Sequence, residues 1–365
     1  MRYERKLKMS SDSKETRMKL EKIDETVDVS WLAPDHMIEE SGLFKRYDNN
    51  PIIEPDWNHY YETSGTFVPC VVKRGDEYCL LYRAEAETGT GYCSRICLAT
   101  SKDGITFQKY AGNPVLSNDE QGTERPGWGG LYDNLGRYYP AQRGVEDPRV
   151  VCIDGMYYMT YTEVNQEGWF LAWAKSRDLV SWKTLGSVLP NLSLCKAGAM
   201  LSVPVNGRYY MYFNLNAQMW LAESEDLAHW KMLPEPVMKP RPGHWDNMNT
   251  EPGSPPMVLD GKIVMIYDSE TLTSPTPGRD CNCAGFAIFD LSDPRKCIAR
   301  SRRPILRPRL LMELHGAHSN FPATIWGNSL VQVGDLFHLY YHAAEMYCCL
   351  ATSPVSEKFW EKADL

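Results

Sequence analysis

The chain has 365 residues, with 39 basic against 47 acidic side chains and a net charge of −8. That charge is spread without a basic stripe, which argues against a nucleic-acid partner, and no apolar run approaches the length of a membrane span. Aromatic residues are abundant, 11 Trp and 21 Tyr, as expected where sheets pack face to face and where sugars bind.

Residues 1–28 are a run of Lys, Glu, Asp, Ser and Met without the apolar stretch of a secretory leader. They predict a charged N-terminal extension, helical or disordered, available for contacts in a homo-oligomer. The 11 cysteines fall partly in predicted strands (Cys79, Cys152, Cys348, Cys349). They read as buried reduced thiols of a cytoplasmic protein, not as a disulfide framework. Cys281-x-Cys283 lacks a second pair at zinc-finger spacing, so no metal centre is expected.

Through the rest of the chain, 29–365, one pattern recurs five times: VVKRGDEYCLLYRA around Gly75, CIDGMYYMTYTE around Gly155, PVNGRYYMYFNL around Gly207, VLDGKIVMIYDS around Gly261 and VQVGDLFHLYYHA around Gly334. Each copy sets an Asp-Gly, Asn-Gly or Gly-Asp turn between runs rich in Val, Ile, Tyr and Leu, a strong hairpin signal. The glycines lie 80, 52, 54 and 73 residues apart. That is the length of a four-stranded sheet, and sheets at that period read as propeller blades. A second repeat follows in phase: LATSKDGITFQK from Leu98, AWAKSRDLVSWKTL from Ala172, WLAESEDLAHWKML from Trp220 and a frayed LATSPVSEKFWEK from Leu350, with FAIFDLS (286–292) in the fourth unit. It predicts a third strand, a turn, and a fourth strand opening on a buried aromatic such as Trp182 or Trp230. The expected fold is all-β: a five-bladed β-propeller with a short N-terminal extension.

In such a ring the inner strands converge on a central funnel, and the residues shortly before each turn sample one mouth of it. They are Phe67, Val68 and Pro69; Glu146, Asp147 and Arg149; Lys196 and Ala199; Thr250, Glu251 and Gly253; and Asn320, Thr324 and Trp326. Asp147 and Glu251 come from nonadjacent blades and would face each other. Inverting glycoside cleavage needs two carboxyl groups about 6.5–9.5 Å apart, one acid and one base that activates water. The competing account of Asp147 is a buried charge pair with Arg143 or Arg149.

The segment GVEDPRV at 144–150, set before the second hairpin, resembles glycoside hydrolase family 130. Further matches are RYDNNPIIEP (46–55), LLYRAE (80–85), SKDG (101–104), NGRYYM (206–211), WDN…PGSPP (245–256), FAIFDLSDP (286–294), RPILRP (303–308) and LYYHAAE (339–345). The resemblance covers residues 45–355 and implies a five-bladed propeller acting on β-mannosides, as phosphorylase or as hydrolase. It implies Asp147 as general acid, passing its proton through a sugar hydroxyl, with Arg83 and Arg149 near the sugar. An ion pair of Arg83 with Glu85 or Glu87 is the plainer account of that arginine.

The family's phosphorylases hold phosphate with a cationic cluster. Here Lys196 keeps one charge, while Asn214, Asn249, Asp268 and the Asn282–Cys283 region stand at the other positions. Glu251 stands where the phosphorylases have glycine and the hydrolases glutamate, and a carboxylate there can deprotonate water. The expectation is therefore hydrolysis, with Asp268 and Glu270 as further base candidates. Phosphate would be a co-substrate only in the phosphorylase alternative, and no other cofactor is expected. Glu345 could bind sugar hydroxyls. Val68 departs from the asparagine the family often carries, and the HSNFPATIWGN stretch matches neither subfamily. Trp57, Trp128 and Trp245 lie in loops and are expected as sugar platforms, with loop 111–143, which includes Arg143, as a roof. A third alternative is a non-catalytic carbohydrate-binding propeller. The expected partner is a soluble oligosaccharide, with no nucleic acid and no membrane.

Overall fold

The computed structural model describes residues 39–88, 91–118, 142–271, 281–316, 323–356, 358–363 and 365, and the short strands Leu131–Tyr132 and Tyr138–Tyr139. The 1–28 extension and Trp128 lie outside the described residues, as does most of the segment expected to roof the site. Among the described residues no helix is long and apolar enough to cross a membrane.

All five predicted turns close hairpins. Gly65–Arg74 pairs with Glu77–Thr88, Gln142–Ile153 with Met156–Asn165, Cys195–Met200 with Tyr209–Leu215, Met257–Leu259 with Lys262–Thr271, and Ile325–Val333 with Leu336–Ala343. Every turn glycine has positive φ, and Asp154, Asn206 and Asp260 just before three of them do too, as type I′ turns require. Third strands follow at Gly91–Ser101, Gly168–Ser176, Gln218–Ser224, Cys281–Asp290 and Tyr347–Pro354.

The Ser-x-Asp repeat is the turn after the third strand in the first three blades. The hydroxyls of Ser101, Ser176 and Ser224 accept backbone N–H groups two and three residues on, and Oδ1 of Asp103, Asp178 and Asp226 does the same for the next pair. Against partial burial, these bonds hold the Asp103 carboxyl down to about 2. At Asp178 the two backbone donors dominate, again giving about 2.

The fifth blade departs from expectation. Its fourth strand is not the FWEK segment but Lys45–Arg46, which pairs with Tyr347–Pro354 through Lys45↔Thr352. With that edge taken, the FWEK residues coil into a 3-10 turn, Phe359–Ala363, and bury Phe359 and Trp360. Three smaller corrections accompany it. Cys152 is on a strand but exposed, and Trp182 and Trp230 are half-buried at their interfaces instead of fully core.

Five apolar clusters close the ring, one at each blade boundary. Tyr161 packs between the first and second blades, Phe213 between the second and third, and Tyr267 between the third and fourth. Tyr341 packs between the fourth and fifth, and Tyr82 between the fifth and first. Each is the aromatic near the end of its second strand, and strand alternation turns the next residue to the opposite face. Those next residues are Arg83, Thr162, Asn214, Asp268 and His342.

Candidate active site

The five residues that follow the interface aromatics sit directly across from five on the inner strands: Phe67↔Arg83, Glu146↔Thr162, Lys196↔Asn214, Glu251↔Asp268 and Trp326↔His342. Equivalent register in all five blades gathers these pairs at one mouth of the ring. Just beyond, the first three inner strands bulge, with Val68, Asp147 and Ala197 at φ 52, 55 and 57°. A β-branched valine there is strained; an aspartate tolerates it better. The bulge lifts Asp147 out of the ladder and leaves its side chain 15% exposed. Lys196 is enclosed by protein yet keeps 33% of its side chain open, as a group lining a hollow does.

One wall is built on Arg83. Its guanidinium reaches Glu85 at 2.6 Å, Glu146 at 3.0 Å and Asp147 at 3.3 Å, and its Nε donates to Ser94 at 2.9 Å. Ser94 Oγ in turn bonds Glu85 and Glu146. The pairing foreseen with Glu85 is thus present, and the same arginine also holds Asp147. Ser94 reaches the site because strand Gly91–Ser101 runs parallel to Gln142–Ile153, joining the first two blades into one sheet. Gly144, at φ 108°, passes so close to the Ser94 backbone that any Cβ would overlap it.

Three carboxyl groups around one guanidinium cannot all be ionised without cost. Burial, with Asp147 and Glu85 nearby and Arg83 and Ser94 opposing, pushes Glu146 up to about 8. At Asp147 burial is outweighed by Arg83, Arg149 and Lys196, and its carboxyl is held low. The two carboxyls are thus driven apart, Glu146 toward its protonated form and Asp147 toward its ionised form. Glu146 was visible at the funnel mouth in the sequence but carried no assigned role there.

The opposite wall is built on Glu251, 2% exposed. Lys196 Nζ lies 2.9 Å from its Oε2, and Asn249 donates to the same oxygen at 3.4 Å. Asn214 donates to Asn249 Oδ1 and to the Thr250 carbonyl. Despite burial, Glu251 and Asp147 keep the Lys196 ammonium charged. Asn249 thus bonds the Glu251 carboxylate directly, and Asn214 holds Asn249 in place.

Arg149 ties the walls together. It donates to the carbonyls of Gly253, Pro252 and Asp147, so it clamps the second-blade bulge to the inner strand of the fourth blade. Three of its five N–H donors are directed at main-chain oxygens, a structural role the sequence did not suggest. The proposed Asp147 pair with Arg143 or Arg149 is also replaced: Arg83 is the partner, and Arg143 lies buried beside Cys93 on the parallel strand pair.

Asp268 does not line the hollow. It is fully buried, its Oδ1 accepts the Gly327 N–H at 2.8 Å, and its Oδ2 lies against Gly253, where only a glycine fits. Burial pushes this carboxyl well up, against the Gly327 N–H and the Arg149 charge. Trp245 is not a platform either: it is 1% exposed, packs on Tyr267 and donates to the Ser301 carbonyl. Trp57 is 75% exposed, on the segment before the first blade. Glu345 is half-buried, at φ 51°, and faces Arg83.

The aromatic at the mouth that keeps some exposure is Trp326, while Phe67 is as enclosed as Trp245. Lys196 Nζ sits 5.4 Å from the Trp326 ring, His342 stacks on Trp326, and Arg83 lies over Phe67 at 4.7 Å. Aligning the residue after each hairpin aromatic would have singled out His342 from sequence.

Comparison with known proteins agrees with this architecture. The family model for GH130, described as β-1,4-mannooligosaccharide phosphorylase, matches residues 137–359. A 1,2-β-oligomannan phosphorylase of Thermoanaerobacter sp. (strain X514) is 31% identical, over 82% of this chain and 94% of that protein. A glycosyl hydrolase structure from Bacteroides ovatus is 30% identical at TM-score 0.73, covering 87% of this chain and 96% of its own. Another, at 29% and TM-score 0.74 with 87% and 96% covered, comes from work stating that the GH130 mannoside phosphorylases contain glycoside hydrolases targeting β-1,2 mannosidic linkages in Candida mannan. With a five-bladed ring, Asp147 at its central bulge and these matches along most of its length, the chain belongs to glycoside hydrolase family 130, whose members act on β-mannosides.

Proposed function

We propose that this protein hydrolyses β-1,2-linked manno-oligosaccharides with inversion, Asp147 serving as acid and Glu251 as base. The observation that carries this reading is the ion pair between Lys196 and Glu251 at 2.9 Å. A phosphate dianion needs several charge-assisted bonds to leave water. Of the basic side chains on the two walls, Lys196 is neutralised by Glu251, Arg83 by carboxylates, and Arg149 is spent on carbonyls. A carboxylate pinned by Lys196 and Asn249 is instead suited to orient and deprotonate a water. The proton held by the Glu146–Asp147 pair is the one delivered to the leaving group, with Arg83 keeping Asp147 in place.

The second reading is phosphorolysis, with inorganic phosphate as co-substrate; the phosphorylase named above favours it. Incubating β-1,2-mannobiose with and without phosphate separates the two. Hydrolysis gives free mannose at a rate indifferent to phosphate, with the α-anomer appearing first by proton NMR. Phosphate-dependent mannose 1-phosphate overturns the hydrolase reading.

A further inference from the structure

His342 is the ring residue to which the protein offers least. It is 4% exposed, and neither imidazole nitrogen has a hydrogen-bond partner among the described residues. Phe67 meets it edge-on at 5.7 Å and Trp326 stacks on it at 6.2 Å. The charged groups facing it are Asp147, Arg83, Arg149 and Lys196. Burial, reinforced by the three cations and opposed by Asp147, pushes the imidazole down to about 3. It is therefore neutral at ordinary pH, with one N–H donor and one acceptor nitrogen.

A buried group of this kind is costly to leave unpaired. Its packing does not need the nitrogens, since a phenyl ring would fill the same gap between Phe67 and Trp326. What its chemistry matches is a neutral hydroxyl, which can accept from one nitrogen or donate to the other; an anion would be better served by a charged imidazolium. Partly exposed neighbours surround it: Trp326 stacks on it, and Asp147 and Lys196, which interact with it electrostatically, keep 15% and 33% of their side chains open. We propose that His342 binds a hydroxyl of the pyranose seated beside Asp147 and so selects which sugar the site accepts. This rests on the mannoside reading above, and its test is built to fail separately.

His342→Phe preserves the aromatic contacts and removes both nitrogens; His342→Gln restores a donor and an acceptor. On β-1,2-mannobiose, H342F is expected to lose about 10²-fold in kcat/KM, the scale on which a site built around a hydroxyl loses its partner, with H342Q recovering part of it. Monodeoxy mannobiosides sharpen the test. Wild type should discriminate strongly against one of them, and H342F should accept that analogue about as well as the parent. Retention of wild-type kcat/KM and deoxy-sugar preference by H342F overturns the proposal; should H342F not fold, a folded His342→Leu that keeps the wild-type deoxy-sugar preference overturns it equally. If wild type cleaves no mannoside, the mannoside reading fails, and saturation-transfer NMR with mannose, glucose and galactose still tests His342. An unchanged sugar preference in H342F there counts against the hydroxyl contact.

Discussion

Arg83 answers to four side chains at once, and its position explains why Asp147, the proposed acid, needs a neighbour. An aspartate held low by Arg83, Arg149 and Lys196 is a poor proton donor by itself; Glu146, pushed up to about 8, keeps the proton within the pair. The sign follows directly. Glu146 is protonated below that value and ionises as pH rises through it, so kcat/KM should fall on the alkaline side near pH 8. In Glu146→Gln that limb should disappear and turnover should drop by about 10²-fold, measured as a pH–rate profile. Glu251→Gln should lower kcat by about 10²–10⁴-fold with little change in KM; azide rescue would identify the lost base. Asp147 and Glu251 were legible in the sequence because carboxylates are unusual at strand entrances. Trp245 was misjudged because loop position in sequence does not reveal that Gly285 opens a slot for its ring. Nor can a sequence tell where a long guanidinium points, so the bonds of Arg149 to the Gly253, Pro252 and Asp147 carbonyls were not foreseen.

Strands and turns were more readable, since each hairpin announces itself by turn chemistry and β-branched or aromatic flanks. The exception is the edge of the fifth blade, where Lys45–Arg46 supplies only two paired residues, too few for any period to show. Side chains secure this short strand. Arg46 bonds Glu40 at 2.8 Å and Glu313 at 2.7 Å, Arg309 reaches Glu40 at 2.6 Å, and Tyr341 donates to Glu313. Removing one partner leaves a buried charge, so Arg46→Ala should cost about 3–5 kcal/mol by urea unfolding. Glu40 is held low because Arg46, Arg307 and Arg309 outweigh its burial. Its contribution is complete above the ordinary carboxylate range and is lost as pH falls through the lowered value, so acid should loosen this latch. Gly144→Ala tests the other special junction. Its positive φ and the overlap with Ser94 should cost about 1–3 kcal/mol and weaken activity more than melting, because Ser94 supports Glu85 and Glu146.

At the scale of the molecule, five apolar clusters link each blade to the next and the last to the first. No blade can leave without exposing two of them, so urea unfolding should be a single transition. Tryptophan fluorescence and far-UV circular dichroism should give coincident curves; separate midpoints would mean that blades unfold independently. The same closure ties the order of synthesis to the order of folding. Lys45 leaves the ribosome long before its partner Thr352 exists. Four blades can therefore assemble as translation proceeds, while the strand that completes the fifth waits unpaired beside Glu40 and Arg46. The wall carrying Trp326 and His342 belongs to that last blade, so the mouth of the ring is complete only when both extremities of the propeller have met.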